Sequence, residues 1–247
     1  LLANNIKNEW WSSMVLSRDD IVGLDSSILS HPKVWEASGH IKSFTDPLVE
    51  CKICHERFRA DHKKDIEEHA KTHDKTAWTD VKQFNLMFKT FVGPLDNEEN
   101  KTYLRPETAQ GIFINFENVL STMRVKIPFG IAQIGKGFRN EITTGNFLFR
   151  VREFEMMELE FFVEPGTDKK WFDYWREQRL NWYLDLGIKK ENIKLIDLPK
   201  EDIAHYSKGT SEIWYNWPFM GFGELEGIAN RGDYDLSQHS KYSGRDL

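Results

Sequence analysis

The sequence contains little cysteine, with Cys51 and Cys54 as the two cysteines among 247 residues. This excludes a framework of several disulfides, and a chain of this length can bury a substantial core without one. Long uncharged apolar runs and a cleavable apolar leader are also missing. We therefore expect no membrane segment and a reducing, cytoplasmic setting.

Basic residues are fewer than acidic ones, at 33 Lys and Arg against 39 Asp and Glu, for a formal net charge of -6. That balance argues against a protein that coats nucleic acid over its whole surface, although a local basic surface is compatible with it. The chain also lacks internal repeats and low-complexity tracts. Its organisation therefore has to be inferred from the order of its predicted helices and strands.

Aromatic residues, by contrast, are abundant, with 9 Trp and 17 Phe. They suit a thick, β-rich core and pockets for flat molecules. Apolar spacing predicts helices over 1–15, 108–123 (with Thr108 as cap) and 168–187, and aromatic and branched residues predict a long antiparallel hairpin over 129–165. Antiparallel strands with segregated helices predict an α+β fold.

The stretch CKICHERFRADHKKDIEEHAKTH has the spacing C-x2-C-x14-H-x3-H, within the range of tetrahedral zinc sites. The four candidate ligands are Cys51, Cys54, His69 and His73. His55 and His62 are alternative ligands, and a metal-free insertion with reduced thiols is the other interpretation. Four protein ligands leave no open position, so we expect a structural zinc. A single finger without a basic flank argues against a DNA-reading regulator.

Charge is densest between residues 139 and 158. In a strand with a period of two, one face would carry Arg150, Arg152, Phe154, Met156 and Glu158. Arginines there can bind a polyphosphate, an aromatic ring can stack on a base, and a carboxylate can hold a cation or an ammonium group. Cross-strand ion pairs of Arg139 and Glu141 with the two later arginines are the alternative, and spacing alone does not decide between them.

This segment resembles motif 2 of the class II aminoacyl-tRNA synthetases. In that motif an Arg-x-Glu strand and a variable loop precede an arginine, which is followed four residues later by Phe and four later again by an acid. The matching residues are Arg139, Glu141, Arg150, Phe154 and Glu158. The chain is similar to dimeric, bacterial-type glycyl-tRNA synthetases over nearly its whole length, in HPKVWEASGH, QFNLMFKT, LRPETAQGIF, IGKGFRNEI, FRVREFEMMELEFF and GELEGIANRGDYDLSQH.

The resemblance implies a class II catalytic core, mostly an antiparallel sheet flanked by helices. It divides the chain into core with motif 1 (1–50), a small zinc-binding insertion (51–77) and core with motif 2 (78–247). The implied activity is the ATP-dependent ligation of glycine to tRNA(Gly) through glycyl-adenylate with Mg²⁺, in a homodimer built through motif 1 around Pro32.

Motif 3 and the anticodon-binding domain have no match in the sequence, so we expect a catalytic-domain fragment that does not complete adenylation alone. The alternative is a catalytically inert synthetase-like module that binds nucleic acid. The retained motif residues argue against it.

The resemblance also implies roles for individual residues. The catalytic residues would be Arg139, Glu141 and Arg150. ATP would contact Arg139, Asn140, Glu141, Phe149, Arg150, Val151, Arg152, Glu153, Phe154, Glu224 and Leu225. Glycine would contact Arg59, Glu107, Phe154, Glu155, Met156, Met157 and Glu158. In this scheme Arg139 touches the α-phosphate, Phe154 stacks on adenine, Glu224 helps to hold magnesium, and Glu107 and Glu158 bind the ammonium group.

Overall fold

The computed structural model describes residues 1–73, 75–145, 147–204 and 206–247. They form two compact units, the first made of Leu1–Asn118 with Ile131–Glu160 and the second of Val119–Gly130 with Phe161–Leu247. Across the described ranges, no helix is both long enough and apolar enough to span a bilayer.

Helices and short strands follow one another along the chain. The helices are α1 (Leu2–Trp11), α2 (Pro32–Ala37), α3 (His40–Ser43), α4 (Lys63–Ala70), α5 (Ala109–Ile114), α6 (Phe116–Met123), α7 (Asp168–Asp185) and α8 (Tyr234–Ser243). The strands are β1 (Ile21–Gly23), β2 (Leu29–Ser30), β3 (Thr45–Glu50), β4 (Arg57–Arg59), β5 (Lys82–Asn85), β6 (Lys89–Phe91), β7 (Lys101–Leu104), β8 (Phe129–Phe138), β9 (Glu153–Phe162), β10 (Ile193–Asp197), β11 (Gly209–Trp217) and β12 (Gly221–Asn230).

The strands form three-stranded sheets with the orders β1-β8-β9, β2-β7-β6, β4-β3-β5 and β10-β11-β12. Strands β2 and β6 pair antiparallel with β7, strands β4 and β5 with β3, and strands β10 and β12 with β11. This mixture of helices and antiparallel sheets agrees with the predicted α+β class. The stretch with the candidate zinc ligands, residues 51–73, includes β4 and α4. The charge-dense segment, residues 139–158, comprises the β8–β9 loop and the first residues of β9.

Two of the predicted helices are confirmed. Helix α1 continues through a π-helical turn, Ser12–Leu16, and its apolar side chains Trp10 and Met14 are buried. Helix α7 ends two residues before Gly187, whose φ of 90° is the left-handed conformation that glycine adopts most readily after a helix.

The predicted helix over 108–123 is two helices, because α5 ends at Ile114 and α6 begins at Phe116. Thr108 precedes α5 but makes no side-chain capping bond. Its hydroxyl donates to the carboxylate of Glu158 instead. Thr108 therefore occupies the predicted N-cap position, but a carboxylate on β9 engages its hydroxyl.

The second arm of the predicted hairpin is shorter than expected, since β9 begins only at Glu153. Arg150 and Arg152 therefore lie in the loop, and the prediction that they alternate on a strand face with Phe154 is wrong. Local bonds explain the difference: Arg150 forms an isolated bridge with Gly145, and the Arg152 side chain turns back to a loop carbonyl. The dipeptide Gly145-Asn146 is a turn signal between the two arms, and Asn146 lies outside the described residues.

The motif 1 segment is anchored in the core of the first unit. The indole of Trp35 packs with Met87 and Tyr103, and Ile41 and Phe44 pack against this cluster. This packing holds α2 and α3 in place and positions the next strand, β3, near the charged residues of the first unit.

Candidate active site and metal centre

Arg139 follows the end of β8, and its guanidinium lies between two aromatic rings. The Cζ atom is 5.4 Å from the centroid of Phe44 and 5.2 Å from that of Phe154, and Nε donates to the carbonyl of Pro106 at 3.2 Å. Rings within about 6 Å of a guanidinium attract it through their π faces. The side chain is thus held in one orientation without a carboxylate among these contacts.

The loop that follows Arg139 is closed by hydrogen bonds at its base. The amide of Arg139 donates to the carbonyl of Arg152 at 3.0 Å, and Nε of Arg152 donates to the carbonyl of Glu141 at 3.1 Å. The buried carboxylate of Glu141 accepts from Nη1 of Arg150 at 3.2 Å. The ion pair considered as an alternative is therefore present, but within the loop rather than across two strands.

A second arginine, Arg59 on β4, forms ion pairs with the carboxylates of Asp46 and Asp61. Its Nη1 donates to Asp46 at 2.6 Å, and its Nε and Nη2 form a bidentate pair with Asp61 at 3.0 and 2.7 Å. The hydrogen bond to Asp61 raises the pKa of Arg59. Burial raises the pKa of Asp46 against the opposing charge of Arg59, and the nearby Glu141 adds to the rise. Arg59 thus stays charged and stands close to the Glu141 loop.

Two further carboxylates lie near α5. Glu158, on β9, accepts from the amide of Thr108 at 2.6 Å as well as from its hydroxyl. Glu107 accepts from Nε2 of Gln110 at 3.2 Å and stands 3.4 Å from Nε2 of His40. Both carboxylates are therefore held by polar groups on α5 or next to it, which orients them.

Strand β9 separates the predicted residues onto two faces. Phe154, Met156 and Glu158 alternate on one face as predicted, whereas Glu155 points elsewhere and pairs with Lys7 at 2.7 Å. Glu153 pairs with Lys136. Gly137 leaves room for the first face, because a Cβ there would lie 3.0 Å from both the Phe154 ring and the Met156 sulfur.

The remaining predicted residues are more dispersed. Asn140 is tied by its amide to the carbonyl of Leu86 at 2.8 Å. Phe149 lies in the loop with an exposed ring, and Val151 and Met157 are half-buried. Glu224 and Leu225 belong to β12 of the second unit, where Glu224 lies opposite Trp214 in the strand register. The structure thus brings most of the predicted set together within the first unit.

Sequence patterns did not identify several residues of this region. Phe44, His40 and Asp46 contact Arg139, Glu107 and Arg59 respectively. His40 begins α3, Phe44 follows that helix and Asp46 lies on β3, so all three come from residues 40–46, far along the chain from motif 2. A half-buried aromatic, a histidine and an aspartate carry no spacing signal of their own, so only the fold reveals their partners.

Arg105 is a further buried, charged residue that no sequence pattern indicated. Its Nε donates to the carbonyl of Lys136 and its Nη1 to the carbonyl of Ser26, each at 2.8 Å. A Cβ on Gly135 would lie 2.4 Å from its Nη2. Burial lowers the pKa of Arg105, partly offset by nearby carboxylates. Its bonds to backbone carbonyls make it a structural brace across β8.

The four predicted metal ligands converge. One ligand atom from each of Cys51, Cys54, His69 and His73 lies within 4.8 Å of all the others, and Sγ of Cys54 is 3.3 Å from Nε2 of His69. A tetrahedral zinc site with ordinary bond lengths places sulfur and nitrogen ligands about 3.6 Å apart. The donor set and its spacing therefore fit zinc.

Three details of the cluster support that fit. Nε2 of His73 is buried and, within the described residues, has no hydrogen-bond partner. Nδ1 of His69 lies 3.0 Å from the Glu56 carboxylate, the arrangement that commonly orients a ligating imidazole. Burial opposes ionisation of Cys51, but hydrogen bonds from the amides of Cys54 and Ile53 and from His69 lower its pKa to about 7.

The spacing of His69 and His73 predicts that they share one helix face, but α4 ends at Ala70 and His73 lies beyond it. The alternative ligands are engaged elsewhere: His55 pairs with Glu50 at 2.9 Å and His62 with Asp65 at 3.3 Å. The cluster therefore consists of the four residues first predicted.

Comparison with known proteins assigns the chain to a class. A family model described as the tRNA synthetase class II core domain (G, H, P, S and T) matches residues 87–240. The chain belongs to this family. Among curated relatives, the glycine--tRNA ligase of Thermobifida fusca (strain YX) is 56% identical across 100% of this chain and 57% of its own length.

Other relatives carry the same name. The glycine--tRNA ligase of Mycolicibacterium vanbaalenii is 55% identical, with 100% of this chain and 58% of the relative covered. That of Streptomyces coelicolor is 54% identical, with 100% and 57% covered. The resemblance seen in the motifs is thereby confirmed. The chain spans somewhat more than half the length of these relatives.

Proposed function

We propose that the chain is the catalytic core of an enzyme that ligates glycine to tRNA(Gly), using ATP and Mg²⁺ and passing through glycyl-adenylate. The observation that carries this proposal is the continuous set of contacts in the first unit that links Glu107, His40, Phe44, Arg139 and Phe154. This set of contacts connects Glu107, a carboxylate that can bind an ammonium group, with Arg139, a cation that can bind a phosphate. The names of the relatives supply the amino acid.

In the proposed reaction an oxygen of the glycine carboxylate attacks the α-phosphorus of ATP, and the bond to the departing pyrophosphate breaks. The protein contributes alignment and charge rather than a covalent step. Arg139 would stabilise the negative charge that grows on the α-phosphate oxygens. The two rings beside it hold its guanidinium before substrate arrives, so little reorganisation is needed at the moment of reaction.

Recognition of glycine would rest on charge and exclusion. Glycine offers no side chain to bind, so a selective site must grip the ammonium group and reject larger amino acids. Glu107 and Glu158 would hold the ammonium group, and Arg59, kept charged by its two aspartates, would contact the substrate nearby. Phe154 would stack on the adenine, with Arg150 and Arg152 near the phosphates.

Glycine-dependent ATP–pyrophosphate exchange tests this proposal. The assay compares this chain with a chain extended to the length of its relatives, each with glycine, alanine or serine. We expect exchange with glycine alone, at least in the extended chain. Exchange with another amino acid but not with glycine would overturn the specificity, and no exchange in the extended chain would overturn the activity.

We also propose a homodimer formed through the motif 1 region. Strand β2 is an edge strand that immediately precedes α2, and its Leu29 side chain is exposed, as is that of Ile28 before it. Sheet edges with exposed apolar side chains favour pairing with another chain. Sedimentation of the extended chain tests this: a monomer at micromolar concentration would contradict it.

A structural zinc ion held by Cys51, Cys54, His69 and His73 is the third part of the proposal. Bound there, zinc would tie the β3–β4 turn to the end of α4. Elemental analysis of protein prepared without chelator should give about one zinc per chain, because the four ligands form a closed set. Cys54→Ser removes a thiolate and should lower the zinc content to near zero.

The matched control for this measurement is His55→Ser, which removes a nearby histidine that pairs with Glu50 and lies outside the cluster. Its zinc content should equal that of the unmodified chain. Unmodified protein without metal, or equal loss of zinc in the two variants, would contradict the proposed ligand set.

A further inference from the structure

His40 is the polar side chain next to Glu107 that the proposed mechanism leaves without a role. Its Nε2 lies 3.4 Å from Oε1 of Glu107, and the side chains are 11% and 16% exposed respectively. Gln110 reaches the same oxygen at 3.2 Å. One carboxylate oxygen is therefore approached by two nitrogens from different elements, and the pair is largely shielded from water.

The other ring nitrogen of His40 is bonded to Ser38. The hydroxyl oxygen of Ser38 lies 2.8 Å from Nδ1, whereas its distance to the carbonyl of Trp35 is 3.4 Å. The Glu107 carboxylate accepts hydrogen bonds, so Nε2 beside it is the protonated nitrogen, and the Ser38 hydroxyl donates to Nδ1 in that tautomer. In that arrangement Nδ1 is an acceptor and Nε2 donates toward Glu107.

The imidazole is also fixed as a body. The ring of Trp35 meets it edge-on at 5.4 Å, and Phe44 lies on another side at 5.4 Å. The backbone is held as well, since Nδ2 of Asn85 donates to the carbonyl of His40 at 3.1 Å. Two aromatic neighbours and a backbone hydrogen bond hold the ring in place. Its Nε2 therefore faces the Glu107 carboxylate in a fixed direction.

We propose that His40 is a positioning residue for the glycine site, which orients the Glu107 carboxylate toward the substrate ammonium group. The inference rests on the proposed function. In the tautomer that accepts from Ser38, the imidazole supplies one N–H to the Glu107 carboxylate. That donor limits the rotation of the carboxylate.

The role predicts a selective kinetic change. In the extended chain, His40→Leu removes the donor while preserving apolar bulk, and we expect the KM for glycine to rise about tenfold, with the KM for ATP changed less than about twofold. His40→Gln places an amide N–H near the position of Nε2 and should recover most of the loss. Ser38→Ala should raise the KM for glycine by about threefold, because the tautomer is no longer fixed.

The measurement is steady-state ATP–pyrophosphate exchange with glycine and ATP varied in turn, together with thermal unfolding of each variant. A merely structural role would shift both KM values and lower the unfolding temperature together, and that pattern would overturn the inference. So would an unchanged KM for glycine in His40→Leu, or no recovery in His40→Gln.

The outcomes also separate this inference from the proposed function. Absence of glycine-dependent exchange in the unsubstituted extended chain would overturn both. Activity in that chain with His40 variants that behave like it would overturn the positioning role alone. If His40→Leu does not fold, Ser38→Ala decides the matter, because a KM for glycine unchanged in that variant also overturns the role.

Discussion

Replacing Arg139 by glutamine is expected to lower the kcat of glycine-dependent ATP–pyrophosphate exchange by about 100- to 1,000-fold, the loss typical when one charge-stabilising donor is removed from an active site. The guanidinium is held by Phe44, Phe154 and the Pro106 carbonyl rather than by an ion pair among the contacts described. Its removal therefore strands no buried carboxylate, and the fold should survive.

The same extended chain provides the measurement and its control. Arg124→Gln makes the same chemical change at an exposed arginine and should leave the exchange rate unchanged. Circular dichroism of both variants should match that of the unsubstituted chain. A rate for Arg139→Gln within tenfold of the control would refute the phosphate role, and a collapsed spectrum would show that the arginine is structural.

Replacing Arg179 by leucine should have the largest effect on stability, because this charge belongs to a buried network in the second unit. Arg179 is 5% exposed and forms a bidentate pair with Glu226 at 2.7 and 2.9 Å, and the hydroxyl of Tyr183 donates to the same carboxylate at 2.8 Å. The guanidinium also lies 4.5 Å from the Trp182 ring. Leucine would leave Glu226 with an uncompensated charge, so we expect the free energy of unfolding to fall by about 3–5 kcal/mol.

Urea unfolding followed by tryptophan fluorescence measures this loss. The double variant Arg179→Leu, Glu226→Leu should recover much of it, since both charges leave the interior together. Lys169→Leu, which breaks an exposed ion pair on the same helix, should change the unfolding midpoint little. A double variant no more stable than Arg179→Leu would show that packing around the guanidinium, and not the stranded charge, dominates.

The motif residues could be identified from the sequence because their chemistry is concentrated in short stretches. Spacing and the order of elements also predicted the α+β class, helices α1 and α7, and the convergence of the four candidate metal ligands. Hydrogen bonds that spacing rules do not describe explain where the detailed predictions of strand bounds and capping differ from the structure. Arg152 bonds to the carbonyl of Glu141 instead of joining a strand, and the hydroxyl of Thr108, at the N-cap of α5, bonds to Glu158 instead of to a backbone amide of the helix.

The residues that orient the predicted ones could not be found by pattern. Phe44 lies 95 positions before Arg139, and His40 lies 67 positions before Glu107. Each is an ordinary residue type whose effect depends on which surface it meets after folding. Spacing rules describe neighbours on one helix or strand, whereas these contacts join different elements through the packing around Trp35.

The brace formed by Arg105 has a consequence for how this sequence can change over generations. Its guanidinium occupies the space that a side chain at position 135 would need, 2.4 Å from the absent Cβ, and its bonds to two backbone carbonyls prevent it from moving aside. Alanine at position 135 would be tolerated only together with a smaller residue at position 105. Related chains should therefore show these two positions covarying.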